Sequence, residues 1–236
     1  MNGRLLKSLA MAALGAVSLF GNTLVTISNI TSPNGTNAPY QATVDGVANV
    51  TVICDDYYDL YSSPFTATVL FLSQLNSSDY KRTLYGRDAG SLATATSLYD
   101  EVAYLALQFS SNPMTNWAGI QIALWNIFDA AVGTQSPAPT GTPPAITGSA
   151  SDPTSSAYWL AKAGEAANIA IGAANAGRIQ ILTPFSNGAT GQPGFAGSQE
   201  FIVVVPEPKS YVILGSGLVL LSMLTFRRQR TRARTT

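Results

Sequence analysis

Two side chains in this sequence carry chemistry that their surroundings do not explain. Cys54 is the chain's one cysteine and ends the strand-like run Val50-Thr-Val-Ile-Cys-Asp-Asp-Tyr-Tyr-Asp-Leu60. As a thiolate it is a nucleophile; as a thiol it packs like a small hydrophobe. Gln121 lies in Trp117-Ala-Gly-Ile-Gln-Ile-Ala-Leu-Trp-Asn-Ile-Phe128. Helical spacing there puts it on one stripe with Leu124, Trp125 and Phe128, at i+3, i+4 and i+7. A primary amide on an apolar stripe must find hydrogen-bond partners or lose about 1–3 kcal/mol. Broken local rules of this kind mark functional or strained sites.

Composition removes most other chemistry. Histidine is absent, which excludes a Ser-His-Asp triad, a Cys-His nucleophile pair and any His-ligated zinc or iron site. A single cysteine excludes an internal disulfide, a CxxC redox pair and a thiolate cluster. Paired carboxylates for a hydrolase can be drawn from Asp55, Asp56, Asp59, Asp100, Glu101 and Asp129, but two acids are easily found in any acidic body. Asp55, Asp56 and Asp59 cluster without the DxDxDG spacing of a calcium loop. The expectation is a protein that is not an enzyme and uses no metal or cofactor.

Charge is distributed unevenly. The formal balance is zero, yet the span 22–205 holds five bases against twelve acids, about −7. That argues against a nucleic-acid partner, because phosphates need clustered cations. The remaining bases sit at the two ends, and both ends read as topogenic. Residues 1–22 have the form of a secretory signal peptide: Arg4 and Lys7, then an apolar run from Leu9 to Phe20. Cleavage after Ser18 and cleavage after Gly21 both fit. The unpaired thiol is therefore expected outside the cytoplasm, where it is an oxidation liability.

Residues 206–236 contain three parts in order. Pro206-Glu207-Pro208 comes first, then an apolar run from Tyr211 to Phe226, then Arg227, Arg228, Arg230, Arg232 and Arg234. As a helix, the run rises about 24 Å, a little short of a hydrocarbon core of about 30 Å. Lys209 and Arg227 can snorkel to make up the difference. The arginine cluster holds that end in the cytoplasm, leaving the body outside. This ordered triple resembles the PEP-CTERM sorting signal of exopolysaccharide-producing Gram-negative bacteria. The resemblance implies that Pro206, Glu207 and Pro208 are the recognition element for an exosortase, a membrane cysteine protease that processes the tail. The protein would then be anchored in the inner membrane by its C-terminal transmembrane helix before processing. Afterwards it would sit on the cell-envelope surface or in the extracellular matrix. A permanent single-span anchor is the alternative.

The body, 23–205, is long enough for one domain with a core. Period-two alternation predicts strands over 23–28, 48–53 and 66–72, with two more over 178–182 and 200–205. Breaks at Ser32-Pro-Asn-Gly35 and Asp45-Gly46 separate the early ones. Helical stripes predict helices over 97–109, 116–128 and 156–176. The Pro/Gly/Ser/Thr segment 133–153 reads as a surface loop or flexible insertion, and 186–198 as a second loop. The fold class is α+β: an antiparallel β-sandwich or barrel-like sheet with a helical insertion. Asn-x-Ser/Thr triplets at Asn29, Asn34, Asn49 and Asn76 read as chance in a chain rich in those residues.

With strand and helix in place, Cys54-Asp55-Asp56 and Gln121-Ile122-Ala123-Leu124-Trp125 together resemble the thioester domains of bacterial surface adhesins. There, a cysteine at a strand end bonds to a glutamine in a Gln-x-Ala-x-Trp helix. The resemblance implies an internal Cys54–Gln121 thioester walled by Tyr57 and Trp125, with Asp55 or Asp56 assisting proton movement. A lysine amine or a hydroxyl on a surface polymer or protein would attack it, tethering the chain covalently. An unreacted buried cysteine beside a hydrogen-bonded glutamine is the other outcome. It corresponds to a structural biofilm or exopolysaccharide-associated module with no reactive bond.

Overall fold

A computed structural model describes residues 23–31, 39–55, 57, 64–129, 144–184 and 199–206. The expected signal peptide, the tail from Glu207 onward with its apolar run and arginines, Asp56, Asp59 and the 186–198 loop lie outside the described residues. Among the described residues no helix is long and apolar enough to cross a membrane. The chain divides into two units, Met1–Val205 and Pro206–Thr236, and the architecture below is that of the first.

Six antiparallel strands close a barrel in the order β1-β2-β3-β6-β5-β4. They are β1 (Thr23–Thr31), β2 (Tyr40–Val44), β3 (Val47–Cys54), β4 (Phe65–Phe71), β5 (Ile179–Pro184) and β6 (Phe201–Val204). Of the two sheet forms expected, the barrel is the one adopted. Strand β2, between the two expected breaks, is an element that the strand expectations do not include. Its alternation is short, with Tyr40, Ala42 and Val44 buried and Gln41 and Thr43 half-buried between them. The Asp45-Gly46 pair is a hairpin turn and not merely a break: Val44 pairs with Val47 across it. Both turn residues have positive φ, 49° and 80°, as a two-residue type I′ turn requires.

Closure needs strands that bend. Asn29 (φ 52°) lies where the β1–β2 register shifts, between Ser28 and Thr31. Asn49 (φ 61°) lies opposite the shift between Ala42 and Val44. Asparagine tolerates left-handed backbone better than other non-glycine residues, and bulges add local twist. Two of the four Asn-x-Ser/Thr triplets thus have a backbone reason for their asparagine.

Between β4 and β5 the chain leaves the barrel as helices α1 (Leu84–Asp88), α2 (Leu92–Ser111), α3 (Trp117–Asp129), α4 (Ser156–Ala163) and α5 (Ala166–Ala174). Ser91 caps α2 by accepting from the Thr94 N–H, and Asn112-Pro113 ends it. The expected single helix over 156–176 is two. Gly164 and an extended Glu165 break it, and Asn168 Nδ2 donates back to the Lys162 carbonyl at 2.9 Å. Of the surface loop or flexible insertion expected over 133–153, the described part, 144–153, is a surface loop with its backbone held in place. There Asn126 Nδ2 donates to the Pro144 carbonyl (3.1 Å), and the Thr147 N–H to Ser156 Oγ (2.8 Å). Trp159 Nε1 donates to the Pro153 carbonyl (2.7 Å). A polar composition did not reveal that its backbone would be tied to α3 and α4.

Helix α2 packs against β6, so part of the barrel is covered on both faces. Every residue of β5 is buried, as its near-continuous apolar run suggests. Val25, Ile27, Ala42, Val44, Val50, Val52 and Ala67 are buried, and the strand registers put them on one face of the sheet. Helix α3, which carries Gln121, is buried nearly all round, with Ile120, Ala123, Leu124 and Phe128 fully inaccessible. It approaches the 154–155 backbone at Gly119, where a Cβ would stand 2.8 Å from the Thr154 carbonyl oxygen. Gly119→Ala is therefore expected to destabilise the fold by about 1–3 kcal/mol, read as a lowered midpoint in chemical denaturation.

Candidate functional site

The end of β3 is where α3 meets the barrel. Beyond Cys54, the Asp55 N–H donates to the Glu200 carbonyl at 3.4 Å. In an antiparallel ladder a residue's N–H and C=O face the same neighbour, and consecutive residues alternate between neighbours. If Asp55 faces β6, the Cys54 carbonyl faces the β2 side. Gln121 Nε2 donates to it at 2.6 Å. Cys54 and Gln121 are both fully buried.

The two residues singled out from the sequence are thus brought together. A carbonyl oxygen and the sulfur of the same residue are only a few covalent bonds apart, so the carboxamide lies within one residue's reach of the thiol. The amide is satisfied on one side only. Gln121 Oε1 is buried without a hydrogen-bond partner. Four residues along α3, Trp125 Nε1 is a buried donor also without one. An acceptor and a donor on one helical stripe, each unsatisfied at about 1–3 kcal/mol, form an unusual pair of orphans. The ring of half-buried Tyr57 meets Trp125 edge-on, centroids 5.0 Å apart, so both expected wall residues lie together over the carboxamide's helix.

A second polar cluster adjoins the first, and its centre, Glu200, was not singled out from the sequence. Asp55 and Glu200 are both fully buried. By strand alternation Asp55 shares a face with Ile53, and Glu200 with Ile202; those two residues are register partners. Glu200 Oε1 accepts from the Tyr99 hydroxyl at 2.5 Å, and Oε2 from the Leu84 N–H at 2.8 Å and from the Thr183 hydroxyl. Asp55 and Glu200 meet at the β3–β6 pairing through the Asp55 N–H, so the site holds two buried carboxyl groups side by side. Burial raises the proton affinity of Glu200, against the hydrogen bonds to its carboxyl group, which lower it. Burial first, then the charge of Glu200, holds the Tyr99 phenol well above its ordinary range.

A lone acid beside the apolar run Phe201-Ile-Val-Val was the available signal for Glu200. Thr183 and Tyr99 gave none, because both types are ordinary in strands and helices. Among the described residues no group of three or more His, Cys, Asp or Glu could hold a metal. Of the sorting residues only Pro206 is described, and it is exposed. Comparison of the chain with family models, curated proteins and solved structures found no match.

The raised proton affinity of Glu200 has a thermodynamic signature. The folded carboxyl group keeps a proton that an unfolded glutamate, with its ordinary value of 4.5, gives up. Stability is then complete below about 4.5 and falls as pH rises through the raised folded value. Asp100, pushed up from 3.8 to about 6 by burial, and Glu101, raised by burial as well, add falls of the same sign. In an Asp100→Asn background, the denaturation midpoint should still decline with rising pH. Adding Glu200→Gln, which removes the titrating proton, should make the decline shallower.

Proposed function

We propose that this chain is an exported surface or matrix protein whose barrel body forms an internal thioester between Cys54 and Gln121 and uses it to attach covalently to a partner. The observation that carries the reading is the buried 2.6 Å bond from Gln121 Nε2 to the Cys54 carbonyl, between the chain's one cysteine and an amide whose other polar atom is unsatisfied. The Cys54 sulfur attacks Gln121 Cδ, the Cδ–Nε2 bond breaks, and ammonia leaves carrying the thiol's proton. No oxidant or reductant is needed.

An amide is the more stable acyl derivative, so the step must be drawn forward. Ammonia escaping into dilute solution does this by mass action. The orphaned Oε1 helps, because an amide oxygen is a stronger acceptor than a thioester oxygen and suffers more from lacking a donor. As negative charge develops on that oxygen, the indole N–H of Trp125 becomes its donor once the carboxamide turns. Full burial keeps water from the product. A partner's amine or hydroxyl then takes the acyl group from sulfur, leaving a covalent link through Gln121 and a free Cys54 thiol.

The ends supply the address. Export by the leader over 1–22, retention by the apolar run and arginines, and exosortase recognition of Pro206-Glu207-Pro208 place the body on the cell surface or in the matrix of a Gram-negative bacterium.

Intact-mass measurement of the folded protein decides the chemistry. The expected mass is short by one ammonia, the deficit vanishes in Cys54→Ala, and methylamine adds to the wild type while freeing one thiol. A full mass with a titratable thiol would overturn the thioester and leave a structural module that associates with extracellular polymer. Fractionation of cells with and without the sorting protease tests the address, with the protein expected to accumulate in the inner membrane when the protease is missing.

A further inference from the structure

In a closed antiparallel barrel neighbouring strands run in opposite directions, so strand order fixes the end at which each strand starts and stops. Around the ring β1-β2-β3-β6-β5-β4, β1, β3 and β5 run one way and β2, β6 and β4 the other. Strand β1 therefore begins, and β6 finishes, at the same end of the barrel. Strand β3 finishes at the opposite end. The expected leader precedes Thr23, the first residue of β1, and the chain leaves this unit at Val205, just past β6. Both topogenic segments thus connect to one end of the barrel, and Cys54 lies at the other. Phe201 pairs with Cys54, and Val205 is four residues further along, about 13 Å of strand.

The exit end is also where apolar side chains stand in the open. Three large hydrophobic side chains are exposed among the described residues, and Leu24 (50%) and Ile171 (45%) are two of them. Leu24 is the second residue of β1. Ile171 lies near the C-terminus of α5, which hydrogen bonds tie to the exit. Asn175 donates to the Ile171 carbonyl through its backbone N–H (3.2 Å) and Nδ2 (2.8 Å). Asn175 Oδ1 accepts from Arg178 Nη1 at 2.9 Å, and Arg178 Nε donates to the Val205 carbonyl at 3.3 Å. Ala166, Ala167, Ala170, Ala173 and Ala174 are exposed along with Ile171, and no residue of α5 is charged. A helix so apolar is ordinarily covered, and open patches of this kind mark contact surfaces. Gly172 takes the inner side of α5, where an added Cβ would collide with the Asp100 carbonyl oxygen of α2.

We propose that this barrel end, together with the exposed side of α5, is a lipid-docking surface on which the body rests while its tail holds it to the membrane. The proposal goes beyond the thioester and rests only on the anchoring part of the reading above. The occupant follows from the reach of the chain. Tyr211, where the apolar run begins, is six residues beyond Val205, at most about 22 Å of extended chain. A span in the bilayer therefore keeps the exit end within that distance of the lipid. Of the turn and strand-end residues there, Asp45 and Arg178 carry charge, one of each sign. The acid surplus of the body is thus not presented to an anionic headgroup layer. Cys54 lies at the end turned away from the lipid, and a partner's amine or hydroxyl approaches from that side.

The test uses the full chain in vesicles of phosphatidylethanolamine and phosphatidylglycerol. A photoreactive benzophenone side chain is placed in turn at Leu24, at Ile171 and, at the opposite end of the barrel, at the exposed Thr31. Irradiation joins the benzophenone to neighbouring C–H bonds, and lipid adducts are counted by mass. Adducts at Leu24 and Ile171 should exceed those at Thr31 several-fold. Equal yields at all three positions, or none at Leu24 and Ile171 in a chain that floats with the vesicles, overturn the docking surface and leave the anchor standing. A chain that does not float with the vesicles overturns anchor and surface together. If the probe at one of the two apolar positions prevents folding, the other decides. In cells lacking the sorting protease, crosslinks from Leu24 and Ile171 to a protein in place of lipid overturn the lipid assignment.

Discussion

A carboxamide sealed from water has only the fold to satisfy it, and at Gln121 the fold supplies one partner where the group asks for more. The Nε2 donor binds the carbonyl at the end of β3, while Oε1 is left without a partner. Much of the architecture can be read from that bond. It joins the helical insertion to the barrel at the end of β3. An apolar residue at position 121 would fill the space but take that donor away. The amide thus links helix to sheet, and its unsatisfied oxygen is what the link leaves over.

The insertion meets the barrel through a polar seam as well as through apolar packing. Glu200 gathers donors to its side chain from α1, α2 and β5, and its carbonyl accepts from the Asp55 N–H at the end of β3. A buried carboxyl group is tolerated because its acceptor sites are occupied. Elements from several parts of the chain therefore meet at one residue, and a shift in any of them leaves a buried group unpaired. Apolar contacts such as the stacked Tyr85 and Phe128 rings, 3.8 Å apart, supply area but do not set position so narrowly. The seam fixes where the helices sit on the barrel, and so where Gln121 meets Cys54.

What could be read from the sequence follows from how local each signal is. Strands β1, β3, β4, β5 and β6 and the long helices were legible because alternation and helical stripes are properties of a few neighbouring residues. Strand β2 was missed because its five residues follow directly on Pro39 and precede Asp45-Gly46, so turn chemistry masked a short alternation. The break at Gly164 was hidden by the alanines on both sides, which favour helix whatever the glycine does. At the site, Cys54 and Gln121 were visible as misfits in their own segments. Glu200 and Tyr99 lie 101 residues apart and have no meaning until the barrel closes. A long-range hydrogen bond leaves no periodicity to read.

The end of an antiparallel strand is a place where three directions separate. Successive side chains point to opposite faces of the sheet, and the backbone carbonyl between them points along it. Earlier on β3 those directions are used by packing and by the ladder, as at Val52, whose partner is Tyr40. At Cys54 the carbonyl accepts from a helix side chain, Gln121 Nε2, while the Asp55 N–H still reaches Glu200. A thiol and an acceptor for an incoming amide therefore sit on one residue without competing for space. The chemistry proposed for this body depends on how the helical insertion meets the end of β3 as much as on which residues it contains.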